Sequence, residues 1–141
     1  MIGKWQGFYK HTSKSIPKEY RNKFIIFNIE IKEQTDKHFY GTVCDEEQNG
    51  GMQGEGIIEG QLNDSQITFV KKMPTETILM PDGKIKVTKR KHKDIIYQGE
   101  FDEAEQQYKG TWKIKLGISW IGILPILVGS NKGVWQMKKQ K

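Results

Sequence analysis

Apolar and polar residues alternate with a period of two along most of this chain, and turn residues interrupt the alternation roughly every eight to twelve positions. Successive side chains of a β-strand point to opposite faces, so this pattern predicts strands with one buried face and one exposed face. The clearest segment carries apolar residues at every second position, namely Ile25, Phe27, Ile29 and Ile31. Because apolar stripes at helical spacing are nearly absent, the chain is predicted to be all-β.

Glycine and tryptophan recur two positions apart, at Gly3 and Trp5, at Gly110 and Trp112, and at Gly133 and Trp135. Inward-facing glycine allows a strand to bend sharply, and large rings can fill the interior of a narrow barrel. We therefore expect the three indoles to face inward. The 141 residues suit one domain of this kind. The prediction is a single antiparallel up-and-down β-barrel domain of about 8–10 strands over residues 1–141.

The opening Gly3-Lys4-Trp5 on the first predicted strand resembles the start of the barrel in the calycin superfamily, which comprises lipocalins, avidins and fatty-acid-binding proteins. The order of the predicted strands is similar across nearly the whole chain. Lipocalins usually place a basic residue late in the barrel over this tryptophan, a role that the resemblance offers to Lys138 or Lys139. The stretch between the first two strands is too short for the helical lid of fatty-acid-binding proteins, and the avidin ligand set and the lipocalin cysteine pairing are absent. The resemblance thus implies the fold and no particular ligand.

Six lysines and arginines lie within residues 84–93, the densest cluster of positive charge in the chain. A hairpin around Pro81-Asp82-Gly83, with strands over residues 75–80 and 84–89, would present them to solvent. Such cations suit contact with phosphates or anionic lipid, and they also protect an exposed sheet edge from pairing. No aromatic residue is interleaved with them, so a nucleic-acid partner is not predicted.

Residues 116–129 are almost continuously apolar, which the alternating pattern does not account for. Burial against the barrel is the leading interpretation, because exposing so many large aliphatic side chains would be costly. Three alternatives stay open: the segment shapes the mouth of a ligand site, docks on a partner, or touches a membrane. Contact with a second copy of the chain, or weak contact with a membrane, is expected to run from Ile118 to Val128.

Catalytic and metal-binding patterns are weak in this sequence. Cys44 is the single cysteine and is expected to be a buried, inert thiol. His38 lies on the same predicted strand, too far along it to serve as a base for that thiol. The acids Asp45, Glu46 and Glu47 are interpreted as a solvated turn, since they lack the ligand spacing of an EF-hand. We therefore predict no enzyme activity, no metal and no cofactor.

The leading functional prediction is a non-enzymatic barrel that binds a small apolar ligand in its interior. Five aromatic residues are predicted to contact this ligand: Trp5, Phe27, Tyr97, Trp112 and Trp135. The alternative is an interaction domain that uses the apolar 116–129 segment or the basic 84–93 hairpin on a protein or membrane surface. The N-terminal residues contain no apolar signal core, so a complete chain of this sequence is expected in the cytoplasm.

Overall fold

Eight antiparallel strands of this chain close into an up-and-down barrel, which confirms the predicted fold class. The structure, a computed structural model, describes residues 1–14, 18–21, 23–47, 51–74, 77–79, 85–87, 94–114, 117–121, 124–128 and 132–141. The barrel strands are β1 (Gly3–His11), β2 (Ile25–Thr35), β3 (His38–Asp45), β4 (Glu55–Asn63), β5 (Gln66–Lys72), β8 (Ile95–Asp102), β9 (Gln107–Ile114) and β12 (Lys132–Lys139). The last of them returns to pair with β1 and closes the ring.

Four further strands form two separate two-stranded sheets. β6 (Thr77–Leu79) pairs with β7 (Ile85–Val87), and β10 (Gly117–Ile121) pairs with β11 (Leu124–Val128). One helical turn, α1 (Lys18–Arg21), lies between β1 and β2. The first hairpin was predicted and is confirmed. The second was not predicted, because a continuously apolar sequence hides the period of two that marks a strand.

Two of the sequence predictions fall largely outside the described part of the chain. Residues 84 and 88–93 of the basic cluster are not among the described residues, and β6, β7, β10 and β11 are described by their backbone. The exposure of the basic hairpin and the burial of the apolar segment therefore stay predictions.

The register of the barrel strands confirms the predicted alternation of buried and exposed residues. Trp5, Trp112 and Trp135 face the interior, with exposed fractions of 6%, 3% and 2%. On β2 every second residue from Ile25 to Ile31 is buried. A shift of one position in such a strand would turn its apolar residues to solvent, so the register is strongly specified.

Aromatic rings fill the barrel interior in three successive layers. The layers consist of Trp5 with Tyr108 at one end, Phe27, Phe69, Tyr97 and Trp135 in the middle, and Tyr9 with Trp112 at the other end. In the middle layer Phe69 stacks on Tyr97 at a centroid distance of 4.7 Å, and Trp135 lies edge-on 5.4 Å from Phe69. Contact between rings adds to the stabilisation that their burial provides.

Glycines let two of the tryptophans approach the barrel wall closely. A β-carbon on Gly133 would lie within 2.5 Å of Trp112, and one on Gly99 would lie within 2.8 Å of Trp135. No larger residue fits at these positions without displacing the ring. The register pairs Trp112 with Gly133 and Trp135 with Gly110. The recurring Gly-x-Trp phrase therefore places a glycine on one strand beside a tryptophan on the next.

The two ends of the barrel differ in how their strands are connected. At one end, here called the turn end, short turns join successive strands over residues 36–37, 64–65 and 103–106. At the other, the loop end, long connections span residues 12–24, 46–54, 73–94 and 115–131. Because strand direction alternates around an up-and-down barrel, all four long connections leave from the same end. They include α1 and both small hairpins.

Candidate functional site

A buried ion pair lies inside the barrel at the loop end. The ammonium Nζ of Lys71, at the end of β5, donates a hydrogen bond to Oδ1 of Asp45, at the end of β3. The two side chains are 2% and 0% exposed. The other salt bridges between described residues, Lys72 with Glu59 and Lys109 with Asp102, lie at the surface.

The second carboxylate oxygen of Asp45 accepts two more hydrogen bonds. The Tyr9 hydroxyl donates to Oδ2 at 2.8 Å, and the backbone N–H of Met52 donates to the same atom at 3.2 Å. Burial, followed by the charge of Asp45, raises the pKa of the Tyr9 hydroxyl well above its ordinary value of 10.0. Tyr9 therefore stays protonated and serves as a permanent donor to the carboxylate.

The ammonium of Lys71 lies among aromatic rings. Its Nζ is 4.8 Å from the ring centroid of Tyr9 and 5.8 Å from that of Phe27, within the range of a cation–π interaction. An ammonium carries three N–H donors. Within the described residues, Lys71 makes one hydrogen bond, the one to Asp45. Two of its three N–H donors therefore have no acceptor among the described residues.

Asp45 also holds part of the β3–β4 connection against the barrel. Its bond to the Met52 amide fixes a segment in which Gly51 and Met52 are buried. The N–H of Glu46 donates to the carbonyl of Ile26 at 2.7 Å and continues the pairing of β3 with β2. A β-carbon on Gly51 would clash with the backbone oxygen of Glu46, so this tight return requires glycine.

Trp112 and His11 extend the aromatic cluster of Tyr9 at the loop end. The indole of Trp112 lies 5.8 Å from the ring of Tyr9 and 5.1 Å from that of His11. The Trp112 N–H donates to the carbonyl of Lys10 at 3.2 Å. The barrel interior at the loop end thus combines apolar rings, those of Tyr9 and Trp112, with the ammonium of Lys71 and the carboxylate of Asp45.

The alternation along each strand explains why charged residues face inward here. On β5, Ile67 and Phe69 face the interior, and Lys71 follows them at the same spacing of two. On β3, Asp45 takes the same phase as the buried Val43. A buried ion pair recovers little or none of its desolvation cost, so stability alone is a weak reason to retain one. Buried ionisable groups also occur at functional sites, which makes this pair a candidate site.

The five residues predicted to bind a ligand all lie in the barrel interior, but they are not all brought together. Phe27, Tyr97 and Trp135 share the middle layer, with centroid distances of 6.4 Å between the first two and 5.6 Å between the last two. Trp5 lies in the layer at the turn end and Trp112 in the layer at the loop end. Their contact with a ligand stays a prediction.

Hydrogen bonds to the backbone hold each of the predicted indoles in place. Trp5 donates to the carbonyl of Met1 at 2.9 Å, and Trp135 donates to that of Thr111 at 3.0 Å. These bonds satisfy the polar atom of each ring inside the apolar interior. They give the indoles a structural role that does not require a ligand.

Two predictions about β3 are wrong. Asp45 was expected in a solvated turn, and its side chain is instead buried in the ion pair. Cys44 was expected to be buried, and it is exposed because it takes the outward phase between Val43 and Asp45. Partial desolvation, followed by the carboxylates of Glu55 and Asp45, raises the pKa of its thiol, which disfavours the reactive thiolate.

Three residues of this site were not predicted from the sequence, namely Tyr9, Asp45 and Lys71. One signal was present, because both charged residues occupy inward positions of strongly alternating strands. What the sequence could not supply was the partner of each charge.

Described residues line three grooves. All three lie on the outer face of the barrel rather than in its interior. The largest of the three has a volume of about 710 Å³ and crosses β5, β8 and β9. Its lining includes the exposed side chains of Thr68, Gln98 and Thr111. The smallest, of about 330 Å³, lies against Trp112, Gly133 and Val134 near the loop end, and neither Lys71 nor Asp45 lines any of the three.

The described residues offer neither a cluster of metal ligands nor a membrane-spanning helix. No three His, Cys, Asp or Glu residues there are grouped so that they could hold a metal ion. No helix within the same residues is long and apolar enough to cross a membrane.

No protein-family model, curated protein or solved structure matches the chain.

Proposed function

We propose that this protein is a non-enzymatic binding barrel of the calycin kind, which takes a small apolar ligand at its loop end. One observation carries the proposal: four long connections leave the barrel at the end where the buried ion pair of Lys71 and Asp45 lies. Ligand sites of barrels lie preferentially at their mouths, where loops of variable sequence surround a rigid wall.

The ring layers favour a site at the mouth over one deep in the interior. Phe27 and Tyr97 are each 1% exposed and Trp135 is 2% exposed, and they contact one another across the middle of the barrel. A ligand that reached them would have to displace packed rings, which is costly. Tyr9 and Trp112 are likewise buried, with exposed fractions of 2% and 3%, but they form the last ring layer before the long connections, so a ligand there would displace loop residues rather than packed rings.

The residues at the loop end indicate the chemical groups that the ligand would contain. The rings of these residues suit an apolar body, and the remaining N–H donors of Lys71 suit one oxygen acceptor on the ligand. A carboxylate or sulfonate would gain most, because hydrogen bonds between charged groups are the strongest of this kind.

The register supports the calycin resemblance in one respect. Trp5 of the Gly3-Lys4-Trp5 motif is paired across β1 and β12 with Lys139, and Lys138 is paired with Gln6. Of the two candidates for the basic residue near this tryptophan, Lys139 therefore takes the matching position.

Titration with anilinonaphthalene sulfonate, an apolar fluorophore with one sulfonate, tests this proposal. The expected result is saturable binding that quenches tryptophan fluorescence. In the Lys71→Met variant the affinity should fall by about ten- to a hundredfold, as expected for a lost hydrogen bond between charged groups. Lys72→Met is the matched control, because Lys72 neighbours it in sequence but is partly exposed.

A second variant distinguishes the loss of a ligand contact from a loss of folding. Asp45→Asn combined with Lys71→Met removes both charges and keeps an acceptor for Tyr9, so it should fold and still bind weakly. Cooperative urea unfolding of each variant confirms that the probe reports on a folded protein. Equal affinity of the wild type, Lys71→Met and Lys72→Met would exclude this site.

A further inference from the structure

Charge is distributed unequally between the two ends of the barrel. The four long connections of the loop end contain eleven lysines and arginines against six acids. The three turns of the turn end contain four acids and one lysine, and the C-terminal segment at the same end adds Lys138, Lys139 and Lys141, so the charges there balance. The connections of the loop end thus carry a formal charge of +5, which favours contact of this end with an anionic surface.

An exposed apolar patch lies on the outer wall beside the loop end. Phe8 of β1 is paired with Ile26 of β2, and its ring lies 4.7 Å from that of Phe24. Phe24 is 51% exposed and Ile26 is 38% exposed. Val134 of β12, 37% exposed, continues the patch on the other side of β1. Large apolar side chains grouped on a surface mark a contact site.

Lysines interleave with this patch and border it. Lys10 is paired with Val134, and its Nζ lies 5.6 Å from the centroid of the Phe24 ring. Lys14 and Lys18, in the connection that follows β1, are exposed. Lysines beside exposed apolar side chains suit the boundary between hydrocarbon and water, because their stems are apolar and their ammonium groups are charged.

The β10–β11 hairpin leaves the barrel at the same end. Residues 117–128, which contain both of its strands, include no charged side chain, and most of them are Ile, Leu, Val or Trp. β12, which bears Val134, begins directly after this connection. Apolar sequence and positive charge therefore converge on one end of one molecule.

We propose that the loop end docks on a bilayer that contains anionic phospholipid, an activity separate from the small-ligand site. A bilayer surface offers both partners that this end requires, anionic headgroups for the lysines and hydrocarbon for the patch. Nucleic acid would engage the charges and leave the apolar patch in water. A second copy of the chain would bring two positive ends together, which charge repulsion opposes.

Vesicle co-sedimentation tests the proposal. The wild type should bind phosphatidylcholine vesicles that contain about 30% phosphatidylserine far better than vesicles of phosphatidylcholine alone. Binding should weaken as salt is added, because ions screen the attraction to the headgroups.

One pair of double variants tests whether binding depends on the apolar patch or on exposed apolar residues anywhere on the surface. Phe24→Ser with Ile26→Thr should lower the vesicle affinity about tenfold or more, because it removes two interfacial side chains. Its control is Ile2→Ser with Ile57→Thr, in which the exposed fractions are nearly the same, 50% and 39%, but the residues lie outside the patch. The control should bind within about twofold of the wild type.

A second pair separates charge position from charge number. Lys14→Gln with Lys18→Gln should weaken binding roughly 25-fold, because each cation near an anionic membrane contributes about fivefold. Lys37→Gln with Lys138→Gln removes the same charge from the opposite end, where both side chains are exposed. That control should lose less than about threefold.

Three outcomes would overturn the docking proposal. The first is equal binding to vesicles with and without phosphatidylserine, or no binding to either. The second is an equal loss in the test and control pairs. The third is a dimer, detected by light scattering, that Phe24→Ser with Ile26→Thr dissociates while vesicle binding is unchanged. None of these outcomes bears on the binding of the fluorophore, which depends on Lys71.

Discussion

The turn end and the loop end of this barrel use charged residues in opposite ways. At the turn end, Lys109 and Asp102 form an ion pair at 2.9 Å on the surface, beside a tight turn in which Asp102 also accepts the N–H groups of Ala104 and Glu105. At the loop end, Lys71 and Asp45 form their ion pair inside the barrel. The first pair stays hydrated, whereas the second must offset the desolvation of both ions.

This difference separates the part of the molecule that secures the fold from the part at which we propose binding. Short turns and the Trp5 layer complete the turn end with apolar contacts and local hydrogen bonds. The loop end has a charged pair in its interior, and all four long connections leave from it. Binding residues concentrate where loops are supported by a rigid scaffold, and only the loop end meets that description.

The largest expected effect comes from breaking the buried pair. Asp45→Asn leaves the ammonium of Lys71 buried without its counter-charge and should reduce the free energy of unfolding by about 3–5 kcal/mol. Adding Lys71→Met should restore at least half of that loss, because no unpaired charge remains. Urea unfolding measures both. If Asp45→Asn alone costs less than about 1 kcal/mol, the pair is not the dry interaction described here.

A smaller effect is expected from the hydroxyl that supports Asp45. Tyr9→Phe removes the 2.8 Å hydrogen bond to the buried carboxylate and should cost about 1.5–3 kcal/mol. Tyr108→Phe is the matched control at the turn end, because the Tyr108 hydroxyl makes no hydrogen bond to other described residues. Thermal unfolding should show a clear decrease in Tm for the first variant and almost none for the second. Equal decreases would contradict the contrast between the two ends.

The smallest effect concerns the surface pair and its dependence on pH. The hydrogen bond from Lys109, followed by that from the Glu105 N–H, lowers the pKa of Asp102 below its ordinary value of 3.8. A carboxyl group whose pKa is lower in the folded state stabilises the fold above its unfolded pKa, and this contribution is lost as pH falls through the folded value. The window therefore lies below pH 3.8. In an NMR titration, Lys109→Gln should move the pKa of Asp102 upward, and no movement would show that the two groups do not interact in solution.

The barrel itself was predictable because its signal is local. Alternation along single strands such as β2 assigns each side chain to a face, and the inward position of Trp5, Trp112 and Trp135 followed from it. The β10–β11 hairpin escaped prediction for the same reason, since a uniformly apolar run contains no alternation to detect.

The ion pair was not predictable from local pattern alone. Asp45 and Lys71 lie on β3 and β5, which do not pair directly, because β4 separates them in the barrel wall. Their contact exists only because the closed sheet brings inward-facing residues of non-neighbouring strands together across its interior. Each charged residue occupies an inward-facing position at the end of a strand, which could have marked it as unusual. That position does not reveal that the two residues are partners.

Closure of the ring has a consequence for how the chain reaches this structure. Trp5 pairs with Lys139, so the contact that completes the barrel joins segments separated by nearly the whole chain. Contacts of such large separation form slowly, and until β12 docks, β1 and β9 each present an unpaired edge that can recruit another chain. We expect assembly of the last strand to limit the folding rate. A circular permutant that joins the two ends and opens residues 64–65 would make β1 and β12 consecutive, and stopped-flow refolding no faster than that of the original chain would show that closure is not the slow step.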